Sequence, residues 1–442
     1  MTDVETRLRE TLSSAEAGAP APADLSERLI ARTLQPARVV PLRPRRAVRR
    51  WLPPLLAAAV IVTVVTVGAI VRHTVAAPDR PVHPRPVPPK IQFPTQFSAT
   101  DVYFRDAQHG WALGDGCADP GRGCVSLLRT TDGGASWQVV PAPPVTVPVN
   151  ECTHEGDGVA GAGDEPCVTS VAFADERHGY AWGYRTFFWT TDGGRHWRLE
   201  RGRPQRLVIA GGNVVRTEAQ GAASGRTVVQ VQRVGGTGWQ TVTPAVAGTA
   251  ETSQLLASGR TVYFLAAQYP RGGTLFRSPD GGRTWTKVNS APCGPTVSTT
   301  YLSLAPDGSL AAVCYGGADA TIRISTDHGR VFGPDIVAPG THKTAQAQLI
   351  PDVLAVSPSV LLERVADRHP TVGNDYRRTT DGGRTWHRIG VDEAMAVPFL
   401  WQMFDARNGV RLNEPGAAGR DGTGLLFTHD GGKTWTYRPY AP

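Results

Sequence analysis

The stretch RTTDGGASW, Arg129 to Trp137, packs a hydroxyl, a carboxylate, two glycines and an indole into nine residues. Five near-copies follow: WTTDGGRHW, RSPDGGRTW, ISTDHGRVF, RTTDGGRTW and FTHDGGKTW. Their aspartates and closing aromatics are Asp132 with Trp137, Asp192 with Trp197, Asp280 with Trp285, Asp327 with Phe332, Asp381 with Trp386 and Asp430 with Trp435. Gly-Gly supplies the positive φ angles of a tight reversal. The Asp can accept hydrogen bonds from N–H groups across such a turn, and the Thr or Ser two residues earlier offers its hydroxyl to the same network. The aromatic then returns the chain into a core. Six identical catalytic aspartates have no comparable rationale. A calcium loop would need alternating oxygen ligands and a late Glu, which are missing. The repeated Asp is read as structural.

The aspartates are separated by 60, 88, 47, 54 and 49 residues. The longest gap hides a worn copy, RVGGTGW, Arg233 to Trp239, with Val234 in place of the Asp. The intervals then become 60, 42, 46, 47, 54 and 49, which makes seven units. Within the first unit DVYF, GWALG, VSLLRT and WQVVPA are alternating or β-branched runs broken by Gly, Asp and Pro. The second opens the same way, SVAFADERHGYAWG beside DVYFRDAQHGWALG. Repeated four-strand units without helical periodicity predict an all-β fold, a seven-bladed propeller over residues 97–442. His109 and His178 occupy matching repeat positions, so turn packing explains them better than catalysis.

The motif resembles the Asp-box, or BNR, repeat. That repeat occurs in sialidases, sortilin-type receptors, xyloglucanases and photosystem II stability/assembly factor-like propellers. The openings Phe104-Arg105-Asp106 with His109-Gly110-Trp111, and Phe173-Ala174-Asp175 with His178-Gly179-Tyr180, look most like the assembly-factor group. The resemblance implies the fold and leaves function open, because the repeat is shared by enzymes and non-enzymes. Val234, and His328 with Val331-Phe332, depart from the pattern and predict less regular blades.

The remainder of the chain carries its charge. Net charge is +7. Residues 1–90 hold 14 Lys and Arg against 7 Asp and Glu, and residues 91–442 hold 32 of each sign. Nucleic acid is therefore not an expected partner of the large domain. WLPPLLAAAVIVTVVTVGAIV, Trp51 to Val71, has no charged residue and the length of a bilayer-spanning helix. Arg43, Arg45, Arg46, Arg49 and Arg50 precede it, which predicts a cytoplasmic N-terminus and an exported remainder. A cleavable signal peptide, with Val75-Ala76-Ala77 as cleavage site, is the alternative. Residues 1–50 are expected to form a basic cytoplasmic segment with short helices around Val4–Leu12 and Leu25–Leu34. Residues 72–96 are Pro-rich and read as a linker. The expected location is a bacterial cell membrane, single-pass, with a monomeric propeller outside.

All six cysteines, Cys117, Cys124, Cys152, Cys167, Cys293 and Cys314, follow the apolar run, so disulfides are expected. Nearest neighbours would pair as Cys117–Cys124, Cys152–Cys167 and Cys293–Cys314, although six cysteines leave the connectivity open. Strand order groups these loops on the face opposite the Asp turns. There Glu155, Asp157, Asp164 and Glu165 could bind a cation or a basic partner, or form a solvated insert. RHWRLERGRPQR, Arg195 to Arg206, is expected to run through an outer strand and its exit loop. Spacing nominates no catalytic pair of carboxylates, no Ser-His-Asp set, no metal and no cofactor site. The Phe/Tyr-Arg-Ile-Pro segment usual in sialidases is absent. The sequence favours a non-catalytic module that binds or scaffolds a protein or glycan at the cell surface. A surface glycoside hydrolase of sialidase-like fold, and a sensor signalling to residues 2–35, are the alternatives.

Overall fold

The computed structural model describes residues 93–442 apart from 95–96, 117–124, 146–151, 153–165, 184–185, 203, 221–225, 243–245, 248–252, 267–272, 296–298, 316–319, 338–351, 367–373, 393–400 and 413–423. The expected helices of residues 1–50, the apolar run 51–71 and most of the Pro-rich segment lie outside these residues. Among the described residues no helix is long and apolar enough to cross a membrane.

Seven antiparallel sheets follow one another along the chain, and in each the strands lie in sequence order. Blade 1 comprises β1 (Ser98–Phe104), β2 (Gly110–Asp115), β3 (Val125–Thr130) and β4 (Gln138–Val140). Blades 2 to 7 span 170–201, 204–247, 254–289, 299–337, 352–392 and 401–439. Six blades have four strands; blade 3, which carries the worn copy, has a fifth short strand against its third. First strands of successive blades touch from blade 1 through blade 6 and surround the axis. Alternating side chains on each sheet face the blades on either side, which gives seven apolar clusters for seven boundaries.

The ring closes without exchange of a strand, since the seventh sheet consists of the last four strands alone. Side chains and the C-terminal tail close it. Trp137 N–H donates to Ala441 O at 2.8 Å, and Tyr440 lies edge-on to Phe97 and Trp137 at 4.9 and 5.1 Å. Phe104 meets Phe427 at 5.8 Å, and the Gln402 side-chain amide donates to Phe104 O at 2.9 Å. A propeller leaves only short edges exposed, which answers the aggregation hazard of many strands.

All six Asp turns join third to fourth strands, and their bonds repeat. In blade 1 Thr130 Oγ1 donates to Asp132 and accepts from Gly134 N, while Asp132 accepts from Ser136 N and Ser136 Oγ. Gly133 and Gly134 have φ of 69° and 80°. A Cβ on Gly134 would stand 2.5 Å from the Phe427 ring of the neighbouring blade, so the position accepts only glycine. Partial burial would raise the Asp132 carboxyl, but the bonds from Ser136 and Thr130 outweigh it and hold it at about 2. In blade 5 His328 takes φ 65° where other turns have glycine. There Asp327 keeps bonds from Ser325, Arg330 N and Val331 N, but Val331 offers no hydroxyl. Asp280 has that further bond, from Thr284 Oγ1. Asp280→Ala should therefore destabilise more than Asp327→Ala, by about 1 kcal/mol in urea unfolding. Equal costs would mean that the hydroxyl bond contributes nothing.

Candidate functional site

Register decides which loops share a face. Ser98 pairs with Asp115, and Leu127 with Val140, so strand starts, the β2–β3 loop and the end of β4 meet at one edge. The β1–β2 and Asp turns meet at the other. The latter edge is occupied by turn packing: Asp106 accepts from Gln108 N, His109 N and His109 Nδ1, and Asp175 does the same for Arg177 and His178. The two histidines are thus turn fasteners.

The first edge carries two disulfides, Cys152–Cys167 and Cys293–Cys314. Cys152 and Cys167 bracket the connection from blade 1 to blade 2. Cys293 lies between blades 4 and 5, and Cys314 pairs across from Thr300 near the end of blade 5's second strand. Cys167, Cys293 and Cys314 are buried. Cys117, Cys124, Glu155, Asp157, Asp164 and Glu165 lie outside the described residues.

Between these braced loops the inner strands form a polar mouth around the axis. Asp101 Oδ2 accepts from Val171 N at 2.7 Å, from blade 1 to blade 2. Gln254 Oε1 accepts from Leu302 N at 2.6 Å, joining blades 4 and 5, and further along the inner strands, toward the Asp-turn edge, Ser303 Oγ accepts from Ala355 N at 2.9 Å, joining blades 5 and 6. Each bond replaces a ladder partner that the edge of a sheet would otherwise lack. Burial pushes the Asp101 carboxyl up to about 6 against the bonds from Val171 and Val102. Tyr301 keeps 38% of its surface open. Surrounding protein nevertheless pushes its phenol up to about 12, with Asp352 adding and Arg206 opposing. Burial also raises Asp352, less the effect of Arg364, whose Nη2 lies 2.7 Å from the carboxylate.

Arg206 differs from the expectation. The run Arg195–Arg206 does begin in an outer strand, Arg198–Arg201, but its end enters the inner strand of blade 3, Pro204–Ala210. Arg206 is exposed there and acts on Tyr301. Sequence reasoning missed Asp101, Gln254, Tyr301 and Asp352 altogether, because no shared residue type marks them among the other polar residues of the inner strands.

Among the described residues the mouth offers the Arg206 guanidinium, the Asp101 and Asp352 carboxylates, the Tyr301 phenol and the Gln254 amide, with Asp352 tied to Arg364 and Asp101 to Val171 N–H. Such groups recognise a polar surface by hydrogen bonding. Among the described residues no cluster of three His, Cys, Asp or Glu could hold a metal ion. Other prominent arginines serve packing. Arg216 lies 3.9 Å over Trp239 beside Glu218 and Glu200, and Arg411 lies 4.1 Å over Tyr376.

Fold and site together define a seven-bladed β-propeller whose inner strands carry polar side chains toward the edge that holds two disulfides. No family model and no curated protein matches the chain. Among solved structures it is similar to YCF48 bound to D1 peptide, at 18% identity over 80% of this chain and 96% of that chain, TM-score 0.46. It is also similar to YCF48 from Cyanidioschyzon merolae, at 15% over 77% and 97%, TM-score 0.47. A Hadza microbial sialidase matches at 19% over 59% and 66%, TM-score 0.34.

Proposed function

We propose that this chain is a membrane-anchored, extracytoplasmic Asp-box propeller, a non-catalytic module that binds or scaffolds a protein or glycan at a bacterial cell surface. One observation carries the reading: the disulfides Cys152–Cys167 and Cys293–Cys314 brace loops at the same edge as the polar mouth. Braced loops on a rigid scaffold are how binding surfaces are built. Disulfides also suit the oxidising side of a membrane, in keeping with the basic segment ahead of the apolar run 51–71. The equal charges of residues 91–442 favour a partner read by shape and hydrogen bonds over nucleic acid. We read the propeller as a monomer, because this chain's own residues close its ring.

The test takes the full chain, crosslinked on cells, recovered from the membrane fraction and read by mass spectrometry. Replacing residues 153–166 with a short Gly-Ser linker should remove the crosslinked partner and leave thermal unfolding unchanged. A partner that persists would move the site off this face. Turnover of an aryl glycoside, lost on Asp101→Asn or Asp352→Asn, would establish the glycoside-hydrolase alternative instead.

A further inference from the structure

The residue just before the turn hydroxyl is Arg129 in blade 1, Arg277 in blade 4 and Arg378 in blade 6. Arg129 Nη2 reaches Glu176 of blade 2 at 3.0 Å, and Arg378 Nε donates to Gly431 O of blade 7 at 3.0 Å. Each thereby fills the seam to the next blade's turns. In blade 7 the residue is Phe427, whose ring crosses to pack against Gly134 and Phe104 of blade 1 but offers no donor. Arg438, from the outer strand, stacks 5.1 Å over the Phe427 ring and takes over the carbonyl, donating to Gly133 O at 2.8 Å. Beside Phe427 and Arg438 lies a cavity of about 260 Å³ in the seam between blades 7 and 1, on the Asp-turn face.

We infer that this cavity is a binding site for one neutral sugar ring, such as the terminal residue of a glycan. Phe404 and Phe427 give it apolar rings, and Gln108, Asp132, His429 and Arg438 give it donors and acceptors. Asn408 Oδ1 lies 2.9 Å from His429 Nδ1 and holds that imidazole at the rim. A sugar has the matching character, with apolar C–H faces and a ring of hydroxyls that both donate and accept. Size agrees: the cavity falls below the roughly 300–1,000 Å³ of sites for larger ligands, so it takes a single ring. Charge agrees as well. Asp132 and Arg438 offset each other, so an anion would meet the carboxylate and a cation the guanidinium. The site lies on the face opposite the braced loops and stands or falls independently of the function proposed above.

Saturation-transfer NMR on the purified full chain tests it, with the methyl glycosides of glucose, galactose, mannose, fucose and N-acetylglucosamine as probes at millimolar concentration. Ring protons of at least one glycoside should receive saturation. Gln108→Ala combined with His429→Ala, both exposed positions, should weaken that binding by roughly tenfold. Phe427→Arg, which places here the arginine of blades 1, 4 and 6, should abolish it. Silence from all five probes, or a signal unchanged in the Gln108/His429 double variant, overturns the assignment whether or not the Phe427 variant folds.

Discussion

Tyr440→Ala should lower the stability of the full chain by about 3–5 kcal/mol, the cost of deleting a buried aromatic, whereas Tyr440→Phe should leave it unchanged or raise it. Tyr440 stands at the ring closure, edge-on to Phe97 and Trp137, within the cluster that joins blade 7 to blade 1. Its loss would open a cavity beside Trp137, whose N–H is held by the adjacent Ala441 carbonyl. The hydroxyl contributes nothing comparable. It is buried, meets no hydrogen-bond partner among the described residues, and burial drives it well above the usual phenol range. A buried donor without an acceptor is a cost, so its removal is neutral or favourable. Urea unfolding followed by tryptophan fluorescence reads both variants. Hydrogen exchange localises the effect, with blade 7 amides losing protection first in Tyr440→Ala. A Tyr440→Ala protein as stable as the parent would mean that the tail does not hold the ring closed.

How far each feature could be read from the sequence follows from how local its physics is. The Asp turns were legible because hydroxyl, carboxylate, glycine pair and aromatic fall within nine residues, and the worn copy at Val234 because its absence left a double-length gap. Strand order then gave the two faces. The mouth was hidden for the opposite reason. Asp101 acts on a residue 70 positions away and Gln254 on one 48 away, and the bridging types change from Asp to Gln to Ser. No motif repeats when each seam is joined by a different side chain. Arg206 reads as part of an exit loop because the arginine run continues from the outer strand of blade 2 into the inner strand of blade 3 with only Gly202 and Arg203 between. The seam cavity is legible only once the blades are aligned, as a Phe in a column where three other blades have Arg.

Asp101 gives the second large expectation, a dependence on pH that runs against the turns. Its carboxyl stands at about 6 in the folded chain against 3.8 unfolded, because burial disfavours the charge more than the Val171 and Val102 N–H groups support it. Between roughly pH 4 and 6 the folded state holds a proton that the unfolded chain has released. Stability therefore falls as pH rises through that window and levels off above it. The turn carboxylates behave oppositely. Asp132 and Asp192, held at about 2 by Ser136 and His196 despite some burial, contribute stability above pH 4 that is lost as pH falls toward 2. The Asp101 contribution thus declines above pH 4 and the turn contribution declines below it. Asp101→Asn keeps an oxygen to accept from Val171 N and removes the charge. Because Asp101 is only half-buried, the full shift overstates the gain, and about 1–2 kcal/mol of added stability at pH 7 is expected. At pH 4 the variant and parent should coincide. Asp101→Ala, which orphans the Val171 N–H, should instead destabilise at both pH values. Denaturant midpoints of the three proteins from pH 3 to 8 decide the matter: parallel curves for parent and Asp101→Asn would show that the carboxyl titrates as it does in water, and that the inner seam of blades 1 and 2 does not bury it.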